Sequence, residues 1–222
     1  VCEVGQAGAV GVDGEDLALI GTAEIPLLGY HMHETLREDE LPKKYVAFSH
    51  CFRTESGSYG RESSGLYRVH QFSKVELFAY ALPDQSEGLL EEFVRVEEAF
   101  WQSLNVPYRI VDCCTGDLGG SDVRRYDMEA WMMTRNSGKG GYGEVSSASD
   151  CGDYQTRGLG IQVKKADGER VYPHTLNATM VASPRPMIAI IENHQNADGS
   201  ITIPEVLRSY TGFEKITGRL DK

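Results

Sequence analysis

Between Pro83 and Pro107 the apolar residues Leu89, Phe93, Val96, Phe100 and Leu104 recur at helical spacing, with glutamates between them. That spacing predicts an amphipathic helix ending before Pro107. The alternating charges of "FVRVEEAF" are expected on its solvated face. Two other stretches, "YVAFSHCFRTE" (residues 45–55) and "VHQFSKVELFAYA" (69–81), are rich in β-branched and aromatic residues and predict a pair of strands. Between them, "SGSYGRESSGLYR" has the glycine and serine content of a mobile loop. Shorter strands are expected at "YRIVDCC", "RYDMEAWMM", "YGEVSSAS" and "LGIQVKK", with a turn at "KADGER". "DLALIGTAEIPLL" reads as a strand entering a turn or helix, and "YPHTLNATMVA" as a strand leading into the helix "SPRPMIAIIENHQ". Strands without regular strand–helix alternation point to an α+β domain on an antiparallel sheet.

Composition narrows the setting. A chain of 222 residues suits one domain with a sizeable core. No run approaches the roughly 20 apolar residues of a membrane helix, and the first residues show no signal peptide, so no membrane role is expected. A formal charge of −11 argues against a surface that grips nucleic acid throughout, but not against a local basic site. Five cysteines without a C-x-x-C pair read as reduced, structural thiols, which points to the cytoplasm, or an organelle, as the compartment. The six histidines show no metal spacing, and Trp101 and Trp131 read as packing residues.

The hairpin carries the candidate chemistry. Side chains two apart on a strand share a face, which groups Arg53 with Glu55, and Phe72 with Lys74 and Glu76. An arginine fork suits phosphate oxygens and an aromatic ring suits the face of a base. Buried carboxylates suit an ammonium group or an adenine amino edge. A solvated face bearing an ion pair is the alternative. In "SPRPMIAII", Ser183 is expected to cap a helix and Pro184 to take its first position. Arg185 then lies in the first turn, where the helix dipole disfavours a cation unless an anion such as polyphosphate arrives. "GEVSSAS" offers Glu144 with the hydroxyls of Ser146, Ser147 and Ser149, hard oxygens of the kind that suit Mg2+, though taken alone the stretch is better read as a plain edge strand. "GTAEIP" places Thr22 and Glu24 on one face.

In chain order, "GTAEIPL", "FRTESGSYGRESSGLYRVHQFSKVEL", "YRIVDCCTGDLG", "YDMEAWM", "GEVSSAS", "HTLNATMVASPR" and "IAIIENHQNADGSITIPEVL" resemble the seryl-tRNA synthetase family of class II aminoacyl-tRNA synthetases, from about residue 16 onward. The resemblance implies an antiparallel sheet flanked by helices that holds a bent ATP. It implies that Arg53 clamps the α-phosphate and the serine carboxylate, that Glu55 and the backbone at Val69 meet adenine, and that Phe72 stacks on it. Arg185 would cover the far phosphates, and Glu144 with Ser147 would hold Mg2+; Thr54, Val145 and Ser146 fall in the same ATP-binding segments. For L-serine it implies Thr22, Ala23 and Glu24, the central acid Glu76, Thr179 at the hydroxyl, and Asn177 beside the pocket. The implied activity is ATP-dependent formation of seryl-adenylate and transfer to tRNA(Ser). A relative that charges a carrier protein, or a non-catalytic binding subunit, is the alternative.

The sequence departs from the family pattern in places. Its first signature motif and long N-terminal helical arm are missing, so residues 1–222 are expected to be a single catalytic domain, truncated at the N-terminus, whose longer parent is a homodimer. Asn177-Ala178 replaces a frequent Asn-Gly, Asp150 replaces an asparagine, and Arg157-Gly158 replaces paired arginines, with altered tRNA or pyrophosphate handling expected from the last.

Overall fold

The computed structural model describes residues 10–11, 18–55 and 65–218; most of the glycine- and serine-rich loop expected at 56–68 lies outside them. The strands are β1 (Thr35–Arg37), β2 (Lys43–Phe52), β3 (Gln71–Ala81), β4 (Tyr108–Asp112), β5 (Arg124–Met132), β6 (Gly141–Asp150), β7 (Gln162–Lys164), β8 (Arg170–Val171) and β9 (His174–Ala182). The helices are α1 (Glu24–Gly29), α2 (Ser86–Ser103), α3 (Tyr154–Leu159), α4 (Arg185–Asn193) and α5 (Glu205–Thr211). Two-residue strand pairs join 10–11 to 18–19 and 201–202 to 215–216.

Six strands form one antiparallel sheet in the order β2-β3-β9-β6-β5-β4. The predicted hairpin β2–β3 is its long edge, with Cys51 opposite Phe72 and Ala47 opposite Glu76. A smaller sheet, β8-β7-β1, contains a parallel pair, β1 with β7, which was not expected. It covers one end of the large sheet through Leu36, Ile161, Val163, Phe78 and Tyr80. This leaves the other end of the same face open.

Helix α2 covers the opposite face, packing Leu89, Leu90, Phe93 and Val94 against Ala79, Ala81, Ala148, Leu176 and Ala178. Its buried stripe differs from the expected one. Val96 is 42% exposed, whereas Glu97, expected in solvent, is 1% exposed. The stripe keeps the expected Leu89 and Phe93 but extends on the flank of Leu90, Val94, Glu97 and Trp101, and leaves Val96 outside it. Small alanines on β3, β6 and β9 let the helix approach closely, and Leu90 and Val94 have the bulk to fill that space, while Trp101 packs further along against Met128, Ala130 and Met132 of β5. Ser183 does not cap α4: its hydroxyl meets the Ser73 backbone, Pro184 holds the N-cap position and Pro186 is the second helical residue. Ala178 lies in regular strand opposite Leu77 and Ala148, without the positive φ that a glycine there would serve. Cys51, Cys113, Cys114 and Cys151 are free thiols.

Candidate active site

The open half of the sheet face is the floor of a cavity of about 370 Å3. Strand alternation supplies the floor: Phe72, Lys74 and Glu76 on β3, and Asn177 and Thr179 on β9, with Thr179 directly opposite Glu76. Two β-bulges adjust it. One lies between Thr179 and Val181 on β9. The other inserts Val145 between the pairs Ser146–Met128 and Glu144–Glu129. Three residues apart on a regular strand, Glu144 and Ser147 would face opposite ways; the bulge turns both to the cavity. It also turns the Ser146 hydroxyl away. Ser146 borders the cavity, but its Oγ is buried without a hydrogen-bond partner among the described residues, as are Glu97 Oε1 and Trp101 Nε1.

All the expected site residues border this cavity except Ala23 and Thr54. Ala23 is 2% exposed in the core and its carbonyl accepts from Leu27 N–H, while Thr54 is exposed. The route of some others differs from strand alternation. Thr22 and Glu24 reach the cavity because the chain turns into α1 there, with Glu24 N–H donating to Thr22 Oγ1 at 3.3 Å. β2 ends at Phe52, and Glu55 has a positive φ of 52° and ion-pairs with Arg68. Ser149, grouped with the candidate metal ligands, does not border the cavity.

One end of the cavity is acidic. Glu76 is 1% exposed and ion-paired to buried Lys74, and Thr22 Oγ1 donates to its Oε2 at 3.5 Å. Burial pushes its carboxyl up to about 7 against the opposing pull of Lys74. Glu24 Oε1 accepts from Gln155 Nε2 at 2.8 Å and from Asn177 Nδ2 at 3.3 Å, and Gln155 Oε1 accepts from Thr175 Oγ1 at 2.5 Å. Helix α3 therefore fixes the acid of α1 against β9. Two carboxylates and two hydroxyls, Thr22 and Thr179, suit a small ligand bearing an ammonium group and a hydroxyl.

The other end is basic. Arg185 donates to the carbonyls of Tyr67 at 3.0 Å and Glu144 at 3.1 Å, and to Glu144 Oε2 at 3.4 Å. Glu144 thus offsets the dipole penalty expected for a cation in the first turn of α4. Arg125 Nη2 reaches Glu144 Oε1 at 3.4 Å and its Nε meets Asp127 at 2.7 Å. Arg53 donates to the Gly21 carbonyl at 3.2 Å, with its guanidinium 5.1 Å from the Phe72 ring centroid. Arginines held around one carboxylate form a preorganised anion site. No cluster of three or more His, Cys, Asp or Glu forms a metal cage among the described residues. A Glu144 carboxylate beside a Ser147 hydroxyl does fit Mg2+, which takes one or two protein oxygens and completes its shell with phosphates and water.

Sequence reasoning missed Arg125, Tyr67, Gln155 and the site role of Lys74. Alternation within "RRYDMEAWMM" places Arg125 and Asp127 on one face, a usable signal. Lys74 was grouped with Glu76 by the same rule. Tyr67 follows a loop and Gln155 acts through a tertiary contact, so neither has a periodic signature.

Comparisons with known proteins agree with this geometry. The profile of the family "tRNA synthetase class II core domain (G, H, P, S and T)" matches residues 10–194. Serine–tRNA ligases of Treponema denticola and Dictyoglomus thermophilum are 50% identical over 95% of this chain and 53% identical over 92% of it. The chain spans 50% and 47% of those proteins, about half their length. Among solved structures, seryl-tRNA synthetase from Pyrococcus horikoshii complexed with ATP superposes with a TM-score of 0.88 at 47% identity, over 94% of this chain and 46% of that one. Cytoplasmic serine–tRNA ligase from Naegleria fowleri in complex with AMP gives 0.87 at 38% identity, over 96% of this chain and 50% of that one. By profile, sequence and fold, the chain belongs to the class II tRNA synthetase core-domain family, with its likeness there to the seryl enzymes.

Proposed function

We propose that residues 1–222 act as one catalytic domain that activates L-serine with ATP and passes it to the 3′ end of tRNA(Ser), in the cytoplasm and within a homodimer. The observation that carries this reading is one cavity with arginines at one end and the Glu24–Glu76 pair at the other. Relatives named for the same reaction, one solved with ATP and another with AMP, support it.

In the first step the serine carboxylate attacks the α-phosphorus of ATP, forming seryl-adenylate and releasing pyrophosphate. Arg53, which donates to the Gly21 carbonyl next to Thr22 and lies over Phe72, orients the carboxylate and neutralises charge on the α-phosphate. Phe72 and Glu55 receive the adenine. Arg185 and Arg125 take the far phosphates, exchanging part of their contact with Glu144. Glu144 and Ser147 would hold Mg2+, which supplies further neutralisation of the phosphates. Glu24 and Glu76 bind the ammonium group and hydroxyl of serine, with Thr22 and Thr179. A site built to pair a hydroxyl is left with unpaired polar groups by alanine. Threonine is excluded by crowding from Thr22. In the second step a terminal ribose hydroxyl of the tRNA attacks the seryl carbonyl and AMP leaves.

Calorimetric titration with a non-hydrolysable seryl-sulfamoyl adenosine tests the combined site. The expected result is one site per chain, with affinity at least about 100-fold above that for AMP, since both ends are engaged together. Equal affinity for the two would remove the serine half of the reading.

A further inference from the structure

Beyond the arginines that line the cavity, Arg135 lies just behind its basic end, packed on Tyr67, which does line it. Arg135 opens a tight turn, residues 135–138, in which Asn136 and Ser137 both have positive φ, 52° and 58°. Left-handed non-glycine residues are costly unless the surroundings fix them. Here Asn136 Nδ2 donates to the Gly140 carbonyl at 2.9 Å, Gly140 N–H donates to the Arg135 carbonyl at 3.0 Å, and Thr134 donates to Glu192 through both N–H and Oγ1. The turn folds Arg135 back over the start of β6.

Its guanidinium occupies the place of a missing side chain. A Cβ on Gly143 would stand 2.7 Å from Arg135 Nη1 and 3.1 Å from its Cζ. Gly143 directly precedes Glu144, so Arg135 reaches the strand edge where Glu144 and Arg185 meet. Its Cζ lies 4.9 Å from the Tyr67 ring centroid, and Arg185 Cζ lies 4.3 Å from the same centroid. The Tyr67 hydroxyl in turn donates to the Glu144 carbonyl at 2.9 Å.

We propose that Arg135 is a further polyphosphate-binding residue, carried by the 135–138 turn and admitted by Gly143, that contacts the β- and γ-phosphates of ATP beside Arg185. The proposal rests on the nucleotide reading of the cavity. AMP lacks both of those phosphates, so the two nucleotides separate a phosphate contact from a structural one. In calorimetry on the whole chain, Arg135→Ala is expected to weaken ATP about tenfold and leave AMP within about twofold of its original affinity. Arg135→Lys recovers part of the loss, and Gly143→Ala, which crowds the guanidinium, weakens ATP in the same direction. An unchanged ATP affinity in Arg135→Ala, or equal losses for ATP and AMP, overturns the assignment. Failure of the unsubstituted chain to bind either nucleotide overturns the reading of the cavity, and this proposal with it.

Discussion

Glu97 lies beneath the cavity floor on α2, and its burial has a measurable consequence. Burial pushes its carboxyl from 4.5 up to about 8. Between those values the folded chain keeps a proton that the unfolded chain has released. Its contribution to stability is therefore full below about 4.5, falls as pH rises through 4.5 to 8, and is level above. Glu97→Gln keeps the shape without the charge. Its melting temperature relative to the unsubstituted chain should rise between pH 5 and pH 9, on the order of 5 °C. The same difference at both values would show that Glu97 is not neutral in the fold. This carboxylate was read from sequence as solvated because charge alternation describes composition along a helix, not which side meets the sheet. The grouping of Phe72, Lys74 and Glu76 was legible for the opposite reason. Strand alternation leaves little freedom, and the β2–β3 ladder that carries those residues runs without a bulge, the extra residue opposite them belonging to β9.

Among the elements, α2 and β6 show where periodicity holds and where it slips. The extent of α2, residues 86–103, follows from its pattern and from Pro107. The burial of Val94 in place of Val96 does not, because the two have equal hydrophobicity and only the partner surface decides between them. Val94→Ala should cost about 1–2 kcal/mol in urea unfolding, and Val96→Ala less than about 0.5 kcal/mol. Equal costs would show that Val94 is no more buried than Val96. In β6 the bulge at Val145 puts Glu144 and Ser147 on one face, where regular alternation would group Glu144 with Ser146. No residue type announces a bulge there. Ser147 was singled out from Ser146 and Ser149 as the partner of Glu144 only through the family resemblance, which carried position without its geometric cause.

At the level of the molecule, the sheet face is divided between a covered end and an open end. The small β8-β7-β1 sheet and α1 seal Phe78 and Tyr80, and the cavity begins where Glu76 replaces those rings on the same strand. The antiparallel sheet was legible because its strands are long and carry strand-forming residues. The parallel pairing of β1 with β7 was not, since each strand has three residues and contact between them spans most of the chain. Net charge was uninformative about the site: a chain of −11 still gathers Arg53, Arg125 and Arg185 in one hollow. ATP–pyrophosphate exchange with the purified chain, comparing serine, alanine and threonine at pH 8, examines both ends of that hollow at once. The expected result is exchange with serine at least about 100-fold above that with either analogue, and its loss in Glu76→Gln. Exchange that is indifferent to the amino acid, or undiminished in Glu76→Gln, would contradict it.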